Sequence, residues 1–61
     1  MKYYKVYKSY ILKDLTIDYG GFIDWQDVKD IIKGYKKESE DGNLIIYTRK
    51  KSKYFYMVEI L

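Results

Sequence analysis

The side chains best suited to bind a ligand gather in the last third of the chain. Residues 43–61 read NLIIYTRKKSKYFYMVEIL, with aromatic and aliphatic residues on both sides of four cations. If this stretch forms a hairpin that turns near residues 50–52, a ring and a cation lie on the same side of neighbouring strands. That combination suits unpaired bases with their phosphates, or the apolar pocket of a protein with an acidic rim. We therefore predict a binding site on this hairpin.

The chain lacks the residue types that many catalytic and metal sites use. It has no His and no Cys, so no visible base activates its serines, and disulfides and thiolate or imidazole metal sites are excluded. An EF-hand loop beginning at Asp14 would need Gly where Tyr19 stands and Glu where Trp25 stands. We expect no enzymatic activity, no cofactor and no metal site.

Charge is divided along the chain rather than spread evenly. Residues 1–13 carry four Lys and no acid, residues 14–41 carry eight acids and four Lys, and residues 42–61 carry four cations and one acid. Lysines also interrupt the apolar runs near the amino terminus, so we expect neither a signal peptide nor a membrane span. The sequence therefore predicts a cytoplasmic protein with basic ends, an acidic middle and no membrane partner.

The clearest predicted element is an amphipathic helix in IDWQDVKDIIKGYKK. Its apolar residues recur at helical spacing: Trp25, Val28, Ile31, Ile32 and Tyr35. Asp24 is a suitable N-cap, because its side chain can accept hydrogen bonds from the first free backbone amides. Gly34 either ends the helix in the left-handed conformation or lies within its last turn.

The other apolar segments favour strands. Three segments are rich in β-branched and aromatic residues, namely NLIIYTRK, KYFYMVEIL and KYYKVYKSYIL. The last of these could also form a helix, with Tyr3, Tyr7, Tyr10 and Ile11 on one face. Residues 15–19 form a short extra strand or an extended loop, and Gly20 and Gly21 mark a turn after them. We predict one α+β domain, residues 1–61, with one helix on one face of a three-stranded, mainly antiparallel sheet, order βαββ, or a four-stranded sheet, order ββαββ.

One helix covers one face of a sheet, yet the last strand is apolar on both faces. We assign to the helix side Tyr4, Val6, Tyr10, Leu12, Leu44, Ile46, Tyr54, Tyr56, Val58 and Ile60. The uncovered face then carries Ile45 and Met57 and the predicted partner-binding residues, which are Tyr3, Lys5, Tyr7, Tyr47, Arg49, Lys51, Lys53 and Phe55. A register slip of one residue would exchange the two faces of a strand.

The chain is very short, rich in Lys, Tyr and Ile, and free of Cys. In these respects, which extend over its whole length without a shared motif, it resembles the very small inhibitor proteins of bacteriophages and mobile elements, including anti-CRISPR and host-takeover proteins. The resemblance implies a non-catalytic, stoichiometric inhibitor or modulator. Such a protein would dock on a host protein or nucleoprotein complex in the host cell cytoplasm.

Three alternatives remain at this point. The aromatic side chains could stack on single-stranded DNA or RNA while Lys and Arg contact its phosphates. A homodimer could bury the uncovered face against a second copy of the chain. The hairpin could also be simply a solvated turn without a partner.

Overall fold

The computed structural model describes residues 3–61. In chain order the elements are β1 (Tyr4–Tyr10), β2 (Thr16–Phe22), α1 (Trp25–Ile31), β3 (Lys36–Asp41), β4 (Leu44–Thr48) and β5 (Tyr54–Ile60). The strands pair antiparallel in one five-stranded sheet of order β2-β1-β5-β4-β3. The last strand of the chain therefore lies at the centre of the sheet, and β2 and β3 form its edges.

The predicted fold class is wrong. A sheet of five strands with a single helix of seven residues replaces the predicted three- or four-stranded α+β arrangement. The strand that the sequence did not reveal is β3, KKESED, in which every residue is exposed. An edge strand of this kind is held by backbone pairing with β4 and buries no apolar residue, so it shows no apolar alternation.

The second strand is longer than the short extra strand we considered. β2 continues through both glycines that we interpreted as a turn, up to Phe22. Gly20 has a φ of +90°, a conformation that side chains rarely allow. The pairing with β1 shifts register beside this residue, so the glycine forms a bulge within the strand instead of ending it.

The helix begins as predicted and ends earlier. The Asp24 carboxylate accepts a hydrogen bond from the backbone N–H of Gln26 at 2.9 Å, which confirms the N-cap. The helix stops at Ile31, and Gly34, with a φ of +87°, lies in the connection to β3. The predicted apolar face is confirmed, because Val28 and Ile32 are buried and the other three residues pack against them.

The buried residues among residues 3–61 lie on one side of the sheet. They are Val6, Val28, Ile32, Ile45, Tyr56 and Val58. Val58 of the central strand stands between Val6 of β1 and Ile45 of β4, and α1 packs against Val6 and Val58 of this row. We call this the helix side. Tyr56 and Val58 of β5 lie there, which confirms the side that we predicted for the residues of this strand.

The opposite side of the sheet is called the open face. Because side chains alternate along a strand, the pairing places there Lys5, Tyr7, Ser9, Leu44, Ile46, Thr48, Phe55, Met57 and Glu59. The side predicted for β4 is wrong, since Ile45 and Tyr47 lie on the helix side and Leu44 and Ile46 on the open face. Leu12 is also misassigned, because it is 92% exposed between β1 and β2.

No helix within residues 3–61 is both long enough and apolar enough to cross a membrane. The short α1 instead packs on the sheet.

Candidate functional site

The centre of the open face is an apolar row that runs across three strands. Tyr7 of β1 lies beside Met57 of β5, which lies beside Ile46 of β4. Phe55 stands next to this row on β5, and all four side chains are partly exposed. No helix of the described chain lies over them, since α1 packs on the opposite side.

The cation beside the apolar row, Lys5, is already paired. The Nζ atom of Lys5 lies 3.2 Å from the carboxylate of Asp18 on β2 and 5.4 Å from the centre of the Tyr7 ring. The hydrogen bond to Asp18 raises the pKa of Lys5. The pKa of Asp18 is lowered mainly by the hydrogen bond from the backbone N–H of Gly20 and, to a smaller extent, by the hydrogen bond from Lys5. With Glu59 directly across from Lys5, this part of the open face carries more acidic than basic charge.

Tyr3 occupies a corner of the open face. Its ring lies over Gly21 of the edge strand, where a side chain on the glycine would overlap the tyrosine hydroxyl. Tyr3 is 42% exposed, while hydrogen bonds in both directions between its backbone and Leu61 continue the pairing of β1 with β5. The missing side chain at Gly21 therefore provides the space in which the ring lies.

A groove of about 560 Å³ lies beside Phe55 at the β4–β5 end of the open face. Its lining includes Ile11, Glu38, Ile46, Arg49, Lys50 and Phe55. We call it the Phe55 groove. Its aliphatic and aromatic residues can take up an apolar side chain, while its charged residues can contact polar groups beside that side chain.

The turn between β4 and β5 carries most of the predicted cations. The backbone N–H of Ser52 donates to the carbonyl of Arg49 at 3.1 Å, which confirms the predicted turn. Lys51 adopts a φ of +69° within it. Lys53 follows the turn, and its carbonyl accepts a hydrogen bond from the backbone of Ile11 at 3.0 Å. The cations of the turn thus lie at one end of the sheet.

Arg49 extends toward the helix side. Its Nη1 atom is 3.9 Å from the point where a side chain on Gly34 would begin. Burial raises the pKa of Tyr35, the contact with the Tyr35 hydroxyl lowers the pKa of Tyr54, and the charge of Arg49 makes a smaller, lowering contribution to both. Arg49 therefore lies at the turn end of the sheet, where it lines both the Phe55 groove and the space beside Gly34 and the two tyrosines.

A chain of hydroxyl groups holds the turn against the helix side. The Ser52 hydroxyl donates to the carbonyl of Tyr54 at 2.8 Å, so its 2.6 Å contact with Tyr35 must use the tyrosine proton. The rings of Tyr35 and Tyr54 stack with centres 5.8 Å apart. Lys8 places its Nζ atom 3.9 Å from the centre of the Tyr54 ring. These contacts anchor the turn to the residues that follow α1.

Tyr47 was predicted to lie on the uncovered face, but the structure places it on the helix side. It packs against the core on the helix side, and burial raises its pKa. Four predicted residues do share the open face, namely Tyr3, Lys5, Tyr7 and Phe55. Arg49, Lys51 and Lys53 belong to the turn region. Sequence reasoning missed Ile46 as part of the uncovered face, because the run LIIY is apolar at every position and offers no alternation.

Residues 3–61 contain no group of three acidic, His or Cys side chains placed to hold a metal ion. Neither a family model, nor a curated protein, nor a solved structure matches this chain.

Proposed function

We propose that this chain is a non-catalytic binding protein that docks on a protein partner through its open face. The observation that carries the proposal is the row formed by Tyr7, Met57 and Ile46, with Phe55 beside it, which no element of residues 3–61 covers. Exposed apolar patches on small proteins commonly mark contact surfaces. Aromatic residues and Met are also enriched where proteins meet.

The Phe55 groove indicates the chemistry of the partner. Its volume of about 560 Å³ is within the usual range of roughly 300–1,000 Å³ for binding pockets. Ile46 and Phe55 favour an apolar anchor side chain, and Arg49 and Lys50 favour a carboxylate beside that anchor. We therefore expect the partner to present an aliphatic or aromatic residue next to an acidic one.

The biological role we propose is stoichiometric inhibition or modulation of a host protein or nucleoprotein complex. The resemblance to very small phage and mobile-element inhibitors supports this role, because those proteins act by occupying a partner's surface. We propose the host cell cytoplasm as the place where the protein acts. A second copy of the chain could instead occupy the open face and form a homodimer. The test must distinguish this homodimer from a complex with a different protein.

Single-stranded nucleic acid is less suited to the open face. Lys5 is paired with Asp18, and Glu59 lies across from it. Phosphates approaching the apolar row would therefore meet two carboxylates and a cation that is already engaged. Binding of a nucleic acid needs unpaired cations, and within residues 3–61 Arg49 and Lys50 lie toward the β4–β5 turn and not beside Lys5 and Glu59.

The test is affinity purification from the native host with the parent chain, Phe55→Ala and Ile23→Ala as baits. Ile23 is a matched apolar control, because it is 64% exposed and lies outside the open face. The purified candidate partner should bind the parent and Ile23→Ala with equal affinity at 1:1 stoichiometry, and should bind Phe55→Ala more weakly.

Two results would contradict the proposal. One is a purified partner that binds Phe55→Ala as tightly as the parent. The other is a homodimer, detected by analytical ultracentrifugation, that Phe55→Ala dissociates, because the open face would then be covered by a second copy of the chain.

A further inference from the structure

We infer that a second site, a cleft on the helix side of the β4–β5 turn, binds a phosphate ester. The cleft has a volume of about 360 Å³ and is lined by Tyr35, Arg49, Lys50, Lys51, Ser52 and Tyr54. We call it the turn cleft. It goes beyond the proposed docking function, because it requires neither the apolar row nor the partner that we propose for the open face.

The charge of the turn cleft favours an anion. Arg49, Lys50 and Lys51 contribute three cations to its lining, and no carboxylate lines it. The ion pairs found within residues 3–61 join Lys5 to Asp18 and Lys37 to Glu40, and neither involves a residue of the turn. The positive charges of the cleft are therefore not neutralised by a salt bridge in the described part of the chain.

A neighbouring depression extends the same charge. It has a volume of about 350 Å³, shares Arg49 and Lys50 with the turn cleft, and adds Lys36 without adding a carboxylate. A cation that lies between two such hollows can contact more than one anionic oxygen. Arginine is especially suited to this, because its planar guanidinium group can bind two phosphate oxygens at once.

The turn cleft is held in shape before any ligand binds. The Ser52 hydroxyl accepts a hydrogen bond from the Tyr35 hydroxyl and donates one to the Tyr54 carbonyl, which ties the turn to the chain after α1. A preorganised site loses less conformational entropy on binding than a mobile loop does. The cations of the turn therefore differ from lysines on a free surface loop, because their backbone is fixed relative to the tyrosines.

The size and the walls of the cleft favour an ester over a bare anion. A volume of about 360 Å³ leaves room beyond a single phosphate group, and the rings of Tyr35 and Tyr54 form one wall. We place the phosphate at Arg49 and the lysines and the organic group against the tyrosines. The phosphate can belong to a free nucleotide or to a nucleic-acid strand, since both present the same chemistry.

The experiment is an NMR titration of the full ¹⁵N-labelled chain with adenosine monophosphate, adenosine and a short single-stranded oligonucleotide. Adenosine monophosphate should shift the amide signals of Gly34 and residues 50–54, and adenosine should not. A free nucleotide is the source if the monophosphate binds as tightly as the oligonucleotide. A nucleic-acid strand is the source if the oligonucleotide shifts the same signals at much lower concentration and weakens steeply with salt.

Variants separate this site from other cationic surfaces. Arg49→Gln should weaken phosphate-ester binding about 10-fold, because it removes a charge-assisted contact at an exposed position. Lys37→Gln is the matched control, because it removes a cation that is paired with Glu40, and it should bind like the parent. Phe55→Ala should also retain binding, which distinguishes failure of this site from failure of the open face.

Three results would overturn the inference. The first is equal binding of adenosine and its monophosphate. The second is an Arg49→Gln variant that is folded and binds at parental affinity. The third is that the shifted signals belong to residues of the open face, or that no probe shifts any signal.

Discussion

Both faces of the sheet carry large apolar residues, but their surroundings differ. In β5, Tyr56 and Val58 point to the helix side and are 7% and 0% exposed, whereas Phe55 and Met57 point to the open face and remain partly exposed. The difference comes from α1 and the chain that follows it, which cover only one side. A large apolar residue in a small sheet therefore becomes a core residue only where another element covers it.

This contrast separates stability from recognition. Side chains on the helix side have left water on folding, and their removal opens cavities in the core. Side chains on the open face keep part of their contact with water. A partner that binds there can bury this remaining apolar surface, which favours binding. Each of the following predictions tests one consequence of this difference.

The largest effect should come from neighbouring isoleucines on opposite faces. Ile45 is 7% exposed on the helix side, and Ile46 is partly exposed on the open face. We expect Ile45→Ala to lower the free energy of unfolding by about 2–5 kcal/mol, as large-to-small core changes do, and Ile46→Ala to lower it by less than half as much. Chemical denaturation measures both changes.

A chain of this size has a total stability of only roughly 3–9 kcal/mol, so Ile45→Ala is at risk of unfolding. Ile45→Val and Ile46→Val provide the milder comparison, with about 0.5–1.5 kcal/mol expected for the first. Equal losses at the two positions would show that the faces do not differ in the way we describe.

The second prediction concerns alkaline pH. Burial raises the pKa of Tyr56 from its ordinary value near 10 to about 12. The unfolded chain therefore loses this proton at a lower pH than the folded chain does. The free energy of unfolding keeps its full value below pH 10 and falls as the pH rises toward 12. At about 1.4 kcal/mol per pKa unit, the loss amounts to roughly 2–3 kcal/mol.

Tyr56→Phe removes the titrating hydroxyl while it keeps the ring. The variant should lose less unfolding free energy than the parent between pH 10 and pH 12, when both are measured by denaturation at fixed temperature. Parallel pH profiles for the two proteins would contradict the assignment of this tyrosine to the buried side.

The third prediction concerns binding. Phe55→Ala should weaken the affinity for the protein partner by more than about 1 kcal/mol, because aromatic residues at the centre of an interface carry much of the binding energy. Its effect on unfolding should be smaller than that of Ile45→Ala, since Phe55 is incompletely buried. Calorimetric titration and denaturation of the same samples test both parts, and a variant that loses stability but keeps affinity would reverse the roles of the faces.

The smallest effect should come from the ion pair on the open face. Lys5 and Asp18 contact each other at 3.2 Å but remain exposed, and such pairs add little stability. We expect Asp18→Asn to shift the melting temperature by no more than about 2 °C. The lowered pKa of Asp18 means that its contribution is present at neutral pH and is lost as the pH falls through that pKa. A large shift at neutral pH would show that the open face depends on this pair.

Local patterns were sufficient for several elements. Helical spacing from Trp25 onward and the Asp24 cap predicted α1, and the basic turn was correctly located. Alternation in β5 correctly assigned Tyr56 and Val58 to the core. Each of these features depends on residues close in sequence, whose spacing or capping chemistry is visible without knowledge of the rest of the chain.

Other elements had no local signal of the same kind. β3 is charged and exposed along its whole length, so only its backbone pairing with β4 identifies it as a strand. β4 begins with LIIY, in which either set of alternate residues could face the core. Pairing of Ile45 with Val58 of β5 makes that choice, and the two residues are well separated in sequence.

The sequence by itself determined the absence of His and Cys chemistry, the helix with its cap, and the basic turn. Only the tertiary structure decided that Tyr47 faces the core, that Arg49 extends toward Gly34, and that Phe55 stays on the open face. The predicted single site was thereby divided between the open face and the turn cleft. The physical reason is that spacing along a strand is local, whereas the face that becomes buried depends on strand pairing and on where α1 packs.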